Sequence, residues 1–272
     1  MGTQVVSIDD LAASAPERIE HAVMVQRWDR LSFLHRSCDP DVVQRVLPHG
    51  LEVDTFDGAA WIGLVAFRLT VRGRGIPRLP WVSRFAEVNV RTYVRGPDGR
   101  RGIWFLSLDA ARLSAVVVAR RWYRIPYMWG TTRLTETPGE VRYERLRRWP
   151  ASPGAELRLT VAPSEPIATA NLTDLERFLM CRWRLYSPEP LDLPATRIRF
   201  VATQVEHPPW PLRRARVLEQ REGLLEAAGL PALGPDPLAH FSPGVRVRFG
   251  ARHAVGPESE VTRWMARAGS SG

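Results

Sequence analysis

Residues 85–109 read FAEVNVRTYVRGPDGRRGIWFLSLD. Two runs rich in β-branched and aromatic residues flank a turn-forming GPDGRRG at 96–102, so residues 87–95 and 102–109 are predicted to pair as an antiparallel hairpin. Strand periodicity then divides the first run into two faces. Val88, Val90, Thr92 and Val94 point one way; Glu87, Asn89, Arg91 and Tyr93 point the other. The valine face is ordinary core. The opposite face aligns a carboxylate, an amide, a guanidinium and a phenol, and it either meets water or lines a pocket.

Working outward, the same alternation recurs. VMVQRWDRLSFL from Val23 reads as a strand, and SCDPDVVQRVLP reads as a short helix. Asp39 is its N-cap, Pro40 its first residue and Pro48 its stop. Asp57-Gly58, between two apolar runs, predicts a hairpin. Further strands are expected in MWGTTRLTE, EVRYERLRR (after a Pro138-Gly139 turn), ELRLTVA, RWRLYS, ATRIRFVATQVEH and PLRRARVLEQ. LTDLERFLMCR carries a capping box, Thr173 with Glu176, and LLEAAGLP a short helix ended by Gly229 and Pro231. DAARLSAVVVARRWYRIPY, with apolar residues at helical spacing, reads as a helix that Asp109 caps. Short connections predict a mainly β (α+β) fold, an antiparallel barrel or strongly curled sheet with a few short helices. Residues 1–20 are expected to be a flexible N-terminal segment, 21–265 a single barrel domain and 266–272 a disordered tail.

The 272 residues hold 44% hydrophobic and 25% charged residues, enough apolar material for a sizeable core. The net charge is +9, yet every one of the 38 basic residues is arginine, scattered from end to end, and no helix-turn-helix, zinc-finger or RNA-binding signature occurs. A specific nucleic-acid partner is therefore not expected; an arginine-driven affinity for polyanions is the minority alternative. The longest apolar run, 115–119, ends at Arg120 and Arg121, so no membrane span is expected. No secretory leader is evident, which predicts a cytoplasmic protein with Cys38 and Cys181 reduced. The six histidines show no ligand spacing and no phosphate loop occurs, so neither a metal nor a cofactor is expected.

Six stretches occur in the order of one family: WDRLSFLHRSCDPDVVQRVLP, FDGAAWIGLVAF, FAEVNVRTYV, FLSLDAARLSAVVVARRWYRIPY, LERFLMCRWRLY and HPPWPL. Between about Trp28 and Val217 the chain resembles the YqjF-like family of bacterial proteins, a family of unknown function related in fold to acetoacetate decarboxylase. The resemblance implies a closed antiparallel barrel around a pocket. Acetoacetate decarboxylase works through a lysine imine, with a second lysine beside the first and a glutamate on a nearby strand. By that resemblance Glu87 takes the place of the strand glutamate, and Tyr127-Met128, after Pro126, falls where the two lysines would stand. With no lysine in the chain, an imine route is excluded.

If the polar face lines a pocket, Arg91 either pairs with Glu87 or binds a substrate carboxylate in bidentate fashion, leaving Glu87 as a base. Glu87 and Tyr127 are the candidate catalytic residues; Asn89, Arg91 and Tyr93 are the candidate substrate-binding residues. The expected function is a barrel that binds a small organic molecule, such as a carboxylate, with acid–base chemistry of the lyase or isomerase type if it is an enzyme. The alternative is a non-catalytic carrier or sensor, and a homo-oligomer is compatible with either. His35, three residues before Cys38, and His207 in EHPPWP are read as structural. Trp183, Tyr186 and Trp210 either line an apolar cavity or fill the core.

Overall fold

A computed structural model describes residues 12–72, 84–110, 127–149, 155–189 and 199–256. The elements run β1 (Met24–Cys38), α1 (Pro40–Val46), β2 (Glu52–Val53), β3 (Thr55–Phe56), β4 (Ala59–Arg72), β5 (Arg84–Arg95), β6 (Arg101–Ala110), β7 (Tyr127–Thr137), β8 (Glu140–Trp149), β9 (Glu156–Pro166), α2 (Asp174–Met180), β10 (Arg184–Pro188), β11 (Phe200–Glu206), β12 (Arg213–Glu222) and β13 (Leu238–Val255). The predicted caps are present. Asp39 accepts from the Asp41 N–H and Pro40 opens α1; Thr173 and Glu176 form a reciprocal capping box at α2. Asp57 and Gly58 adopt φ of 49° and 77°, the left-handed pair a tight hairpin requires, and join β3 to β4.

The β5–β6 hairpin forms as predicted, Arg95 opposite Arg101 and Glu87 opposite Ala110. The expectation of a wholly antiparallel sheet needs correction. One edge of β6 pairs with β5. Its other edge is divided between two parallel neighbours, β10 at Ile103–Trp104 and β7 at Leu108–Ala110. Residues 111–126, between β6 and β7, supply the length that such a crossover needs. β13 divides its edge similarly, pairing with β12 at His240–Phe241 and with β11 from Arg248 onward. Five strands, β13-β1-β4-β5-β6, thus form a common sheet. One path of pairings leaves it through β7-β8-β9-β12 and returns to β13; a second leaves through β10 and β11.

The two faces of β5 enter different cores. Val88, Val90 and Val94 of β5 join a core with Leu64, Tyr143, Leu157, Leu159 and Val161. Tyr93 and Phe85 join a second core with Phe33, Phe67, Phe178, Trp210 and Val247. Every residue from Glu87 to Val94 is buried. The choice between a wet face and a core face does not arise for β5, because neither face is wet.

Three expectations change. The helix read from LLEAAGLP is one 3-10 turn, Glu226–Ala228, closed by left-handed Gly229. β13 went unread: Pro243-Gly244 resembles a break, but Gly244 (φ 138°) sits opposite Asp29, beside the irregularity in β1, and the strand continues. Asp109, expected as a helix cap, lies within β6 and is held by arginines; the proposed helix at 111–126 and the tail at 266–272 lie outside the described residues.

Candidate functional site

The second core is aromatic, yet it receives a row of polar groups. Glu87, Asn89 and Arg91 are 3%, 4% and 5% exposed and share the face of Tyr93 by strand alternation. Across β4 they lie opposite Phe67, Val65 and Gly63 respectively. Gly63 is also opposite His35 of β1, so His35, Gly63 and Arg91 form one line across three strands. The glycine makes that line possible: a Cβ there would stand 3.0 Å from the His35 ring and 3.4 Å from Arg91 Cγ.

His35 Nε2 and Tyr93 Oη are 2.7 Å apart, and both residues are fully buried. The Arg91 guanidinium carbon lies 5.5 Å from the Phe33 ring centre and 5.9 Å from that of Tyr93. Among the described residues Arg91 makes no ion pair, including none with Glu87, four residues or about 13 Å of strand away. Of the two roles left open for Arg91, pairing with Glu87 is therefore not the one found. By contrast, Arg182 also overlies Tyr93, at 4.9 Å, but its Nη1 donates to Asp54 at 2.8 Å.

Burial decides the charge states. It pulls His35 well below the usual histidine range, and the positive Arg91 adds to the effect. Burial also pulls His207 down to about 4; that ring lies 4.3 Å from Trp210 and 4.5 Å from Trp183, centre to centre. His240 Nε2 contacts Glu176 Oε1 at 2.9 Å, and there too burial outweighs the carboxylate and lowers the histidine. Tyr93 is raised by burial, against the charges of Arg91 and Arg182, so it keeps its proton. Around this face several buried polar atoms have no hydrogen-bond partner: His35 Nδ1, Asn89 Oδ1, Arg91 Nε, His240 Nδ1 and Ser242 Oγ. Native interiors seldom leave such groups unmet by protein or ordered water.

On the opposite face of the sheet, Asp109 accepts from Arg145 Nη2 and Arg147 Nη2, each at 2.8 Å, and from Ser107 Oγ at 3.2 Å. That carboxylate is fully engaged. Two surface clefts, of about 350 and 560 Å3, lie beside β12 at Leu218 and Glu219 and involve none of the β5 residues. No group of three or more His, Cys, Asp or Glu side chains suited to a metal occurs among the described residues, and no helix there is long and apolar enough to cross a membrane.

The model of DUF2071, an uncharacterized conserved protein family, matches residues 25–246. The chain belongs to the DUF2071 family. It is 30% identical over 228 residues to the uncharacterized protein YqjF of Bacillus subtilis (strain 168), covering 84% of this chain and 90% of that one. Among solved structures it resembles the enduracididine biosynthesis enzyme MppR complexed with pyruvate, with a TM-score of 0.60 at 15% identity over 88% of this chain and 93% of that one. It also resembles the acetoacetate decarboxylase of Legionella pneumophila, with a TM-score of 0.57 at 13% identity over 94% and 98% of the two chains. At these identities the likeness is one of fold, and the fold of this DUF2071 chain is acetoacetate decarboxylase-like.

Four of the five residues singled out from sequence, Glu87, Asn89, Arg91 and Tyr93, share one buried face. Tyr127 begins β7, where the register sets it beside Leu108, itself opposite Asn89; its side chain lies outside the described part. His35 and His207, expected to be structural, are buried, and His240, which has no motif of its own in the sequence, is buried with them. The period-2 spacing of Leu31, Phe33 and His35 on β1 was the available signal for His35. Cys38, by contrast, has its thiol pushed up by burial and both cysteines are free, which gives no support to a thiolate nucleophile.

Proposed function

We propose that this DUF2071 protein binds a small organic carboxylate between the polar face of β5 and the second core, within a closed barrel formed by the returning strand pairings. The observation that carries the reading is Arg91: a buried guanidinium, with no carboxylate partner among the described residues, surrounded by unmet polar atoms. Taking such a group out of water costs several kcal/mol, and a planar anion would offset that cost with two parallel hydrogen bonds. Asn89 and Tyr93 flank the anchor, with Glu87 further along the same face and the backbone of Tyr127 beside Leu108, itself opposite Asn89. The pyruvate complexed with MppR is a ligand of this chemical class. Chemistry at this site is acid–base chemistry on a carbonyl or enolisable acid, because a chain with no lysine forms no side-chain imine.

The test is thermal denaturation of the full chain with pyruvate and a panel of small 2-oxo acids at pH 7, beside an Arg91→Met variant. A ligand at 100 times its Kd adds about 2.7 kcal/mol of stability, so the melting temperature of the wild type rises and that of the variant does not. Equal shifts in both proteins, or none with any acid, would overturn the reading.

A further inference from the structure

We infer that Tyr93 and His35 are the proton-transferring pair of this site, acting together on the carbon next to the carbonyl of a bound 2-oxo acid. The inference rests on the carboxylate reading above. Three features of the fold converge on it. The pair is in direct contact at 2.7 Å and sealed from bulk water. The Arg91 guanidinium lies over the Tyr93 ring, so an acid anchored on Arg91 brings its carbonyl end to the phenol, whereas Glu87 stands about 13 Å along the strand. The pair is also carried by β1 and β5, which flank β4, where Gly63 lies between His35 and Arg91 and leaves both room.

The step is a reversible enolisation. The C3–H bond of the ligand breaks, and its electron pair becomes the C2–C3 double bond while the carbonyl pair moves onto oxygen. Tyr93 Oη takes the released proton as its own proton passes to His35 Nε2. Arg91 faces the growing negative charge. The return step puts a proton back on C3 and restores a neutral phenol and imidazole, so nothing is consumed. Burial sets the starting states, a neutral His35 and a protonated phenol, and a ligand carboxylate on Arg91 offsets the positive charge that opposes protonation of His35. Tyr93 is the residue in contact with the ligand; His35 acts through it and is a positioning and relay residue.

Exchange of the pyruvate methyl protons with solvent deuterium, followed by proton NMR with the full chain, reads the step directly, and calorimetry reads pyruvate binding separately. The wild type is expected to bind pyruvate and to exchange its methyl protons faster than buffer does. Tyr93→Phe and His35→Gln should each keep the Kd within about threefold while exchange at saturation falls about 100-fold or more. A purely structural role would move binding and exchange together. Wild-type exchange in Tyr93→Phe, or wild-type binding with no exchange, overturns the pair and leaves the Arg91 anchor standing. Absence of pyruvate binding by the wild type overturns both. Should Tyr93→Phe fail to fold, His35→Gln decides, since its amide can still meet the phenol but cannot carry the proton.

Discussion

Replacing Arg91 with methionine should make the unliganded protein more stable, although it removes a charged residue from a well-formed strand. The cause is burial. Arg91 is 5% exposed, its Nε meets no acceptor, and no carboxylate pairs with it among the described residues. Replacing even a paired buried charge cluster by hydrophobic residues of similar volume is often neutral or stabilising by about 1–4 kcal/mol, and Arg91 has no ion-pair partner among the described residues to lose. The lost contacts with the faces of Phe33 and Tyr93, at 5.5 and 5.9 Å, offset about 0.5–1 kcal/mol each. The net gain is about 1 kcal/mol, or about 2–4 °C in melting temperature for a chain of this size. Urea denaturation at pH 7 followed by circular dichroism measures it: the midpoint rises and the slope stays the same. A midpoint lowered by the equivalent of about 1 kcal/mol or more would mean that the guanidinium is held as a structural element, and the idea that it awaits a ligand would fail.

Stability should also fall on mild acidification. His207 is lowered from 6.5 to about 4 by burial, so between those values the unfolded chain binds the proton that the folded chain refuses. Its contribution is complete above pH 6.5 and is lost as pH falls toward 4, about 2 kcal/mol between pH 7 and pH 5. His35 and His240 shift in the same direction and steepen the loss. Urea midpoints across that range should fall, and less steeply in His207→Phe; parallel curves would contradict the assignment. Asp109→Asn weakens the only carboxylate that Arg145 and Arg147 share among the described residues and should cost about 3–5 kcal/mol, read as a lowered urea midpoint. Gly130→Ala puts a Cβ 2.2 Å from the Leu146 carbonyl oxygen and 2.5 Å from Arg145 Nη1, so it should destabilise by about 1–3 kcal/mol in the same assay; a neutral result would show that the β7–β8 pair opens there at little cost.

What the sequence makes legible is local. The β5–β6 hairpin follows from alternation and a Gly-Pro-Asp-Gly turn, α1 and α2 from their capping residues, and the shared face of Glu87, Asn89, Arg91 and Tyr93 from a period of two. What it hides is long-range. That both faces of β5 are buried depends on β6 and β13 each dividing an edge between two neighbours, and neither strand carries a local mark of that. β13 itself is concealed by Pro243-Gly244, which reads as a break and serves as an irregularity in a continuous strand. His35 sits between Leu34 and Arg36 in sequence, and its contact with Tyr93, 58 residues away, exists because β1 and β5 flank β4. Likeness to known proteins supplies the family and the fold; the chemistry of the site lies in the burial and pairing of these side chains.

The most direct measurement is a crystal structure of the protein grown with pyruvate, with a thermodynamic titration on the same sample. The carboxylate is expected in bidentate contact with the Arg91 guanidinium, its carbonyl end toward Tyr93 and His35. A pyruvate found elsewhere, with the Arg91 guanidinium packed against side chains and its site closed by hydrocarbon, would contradict it.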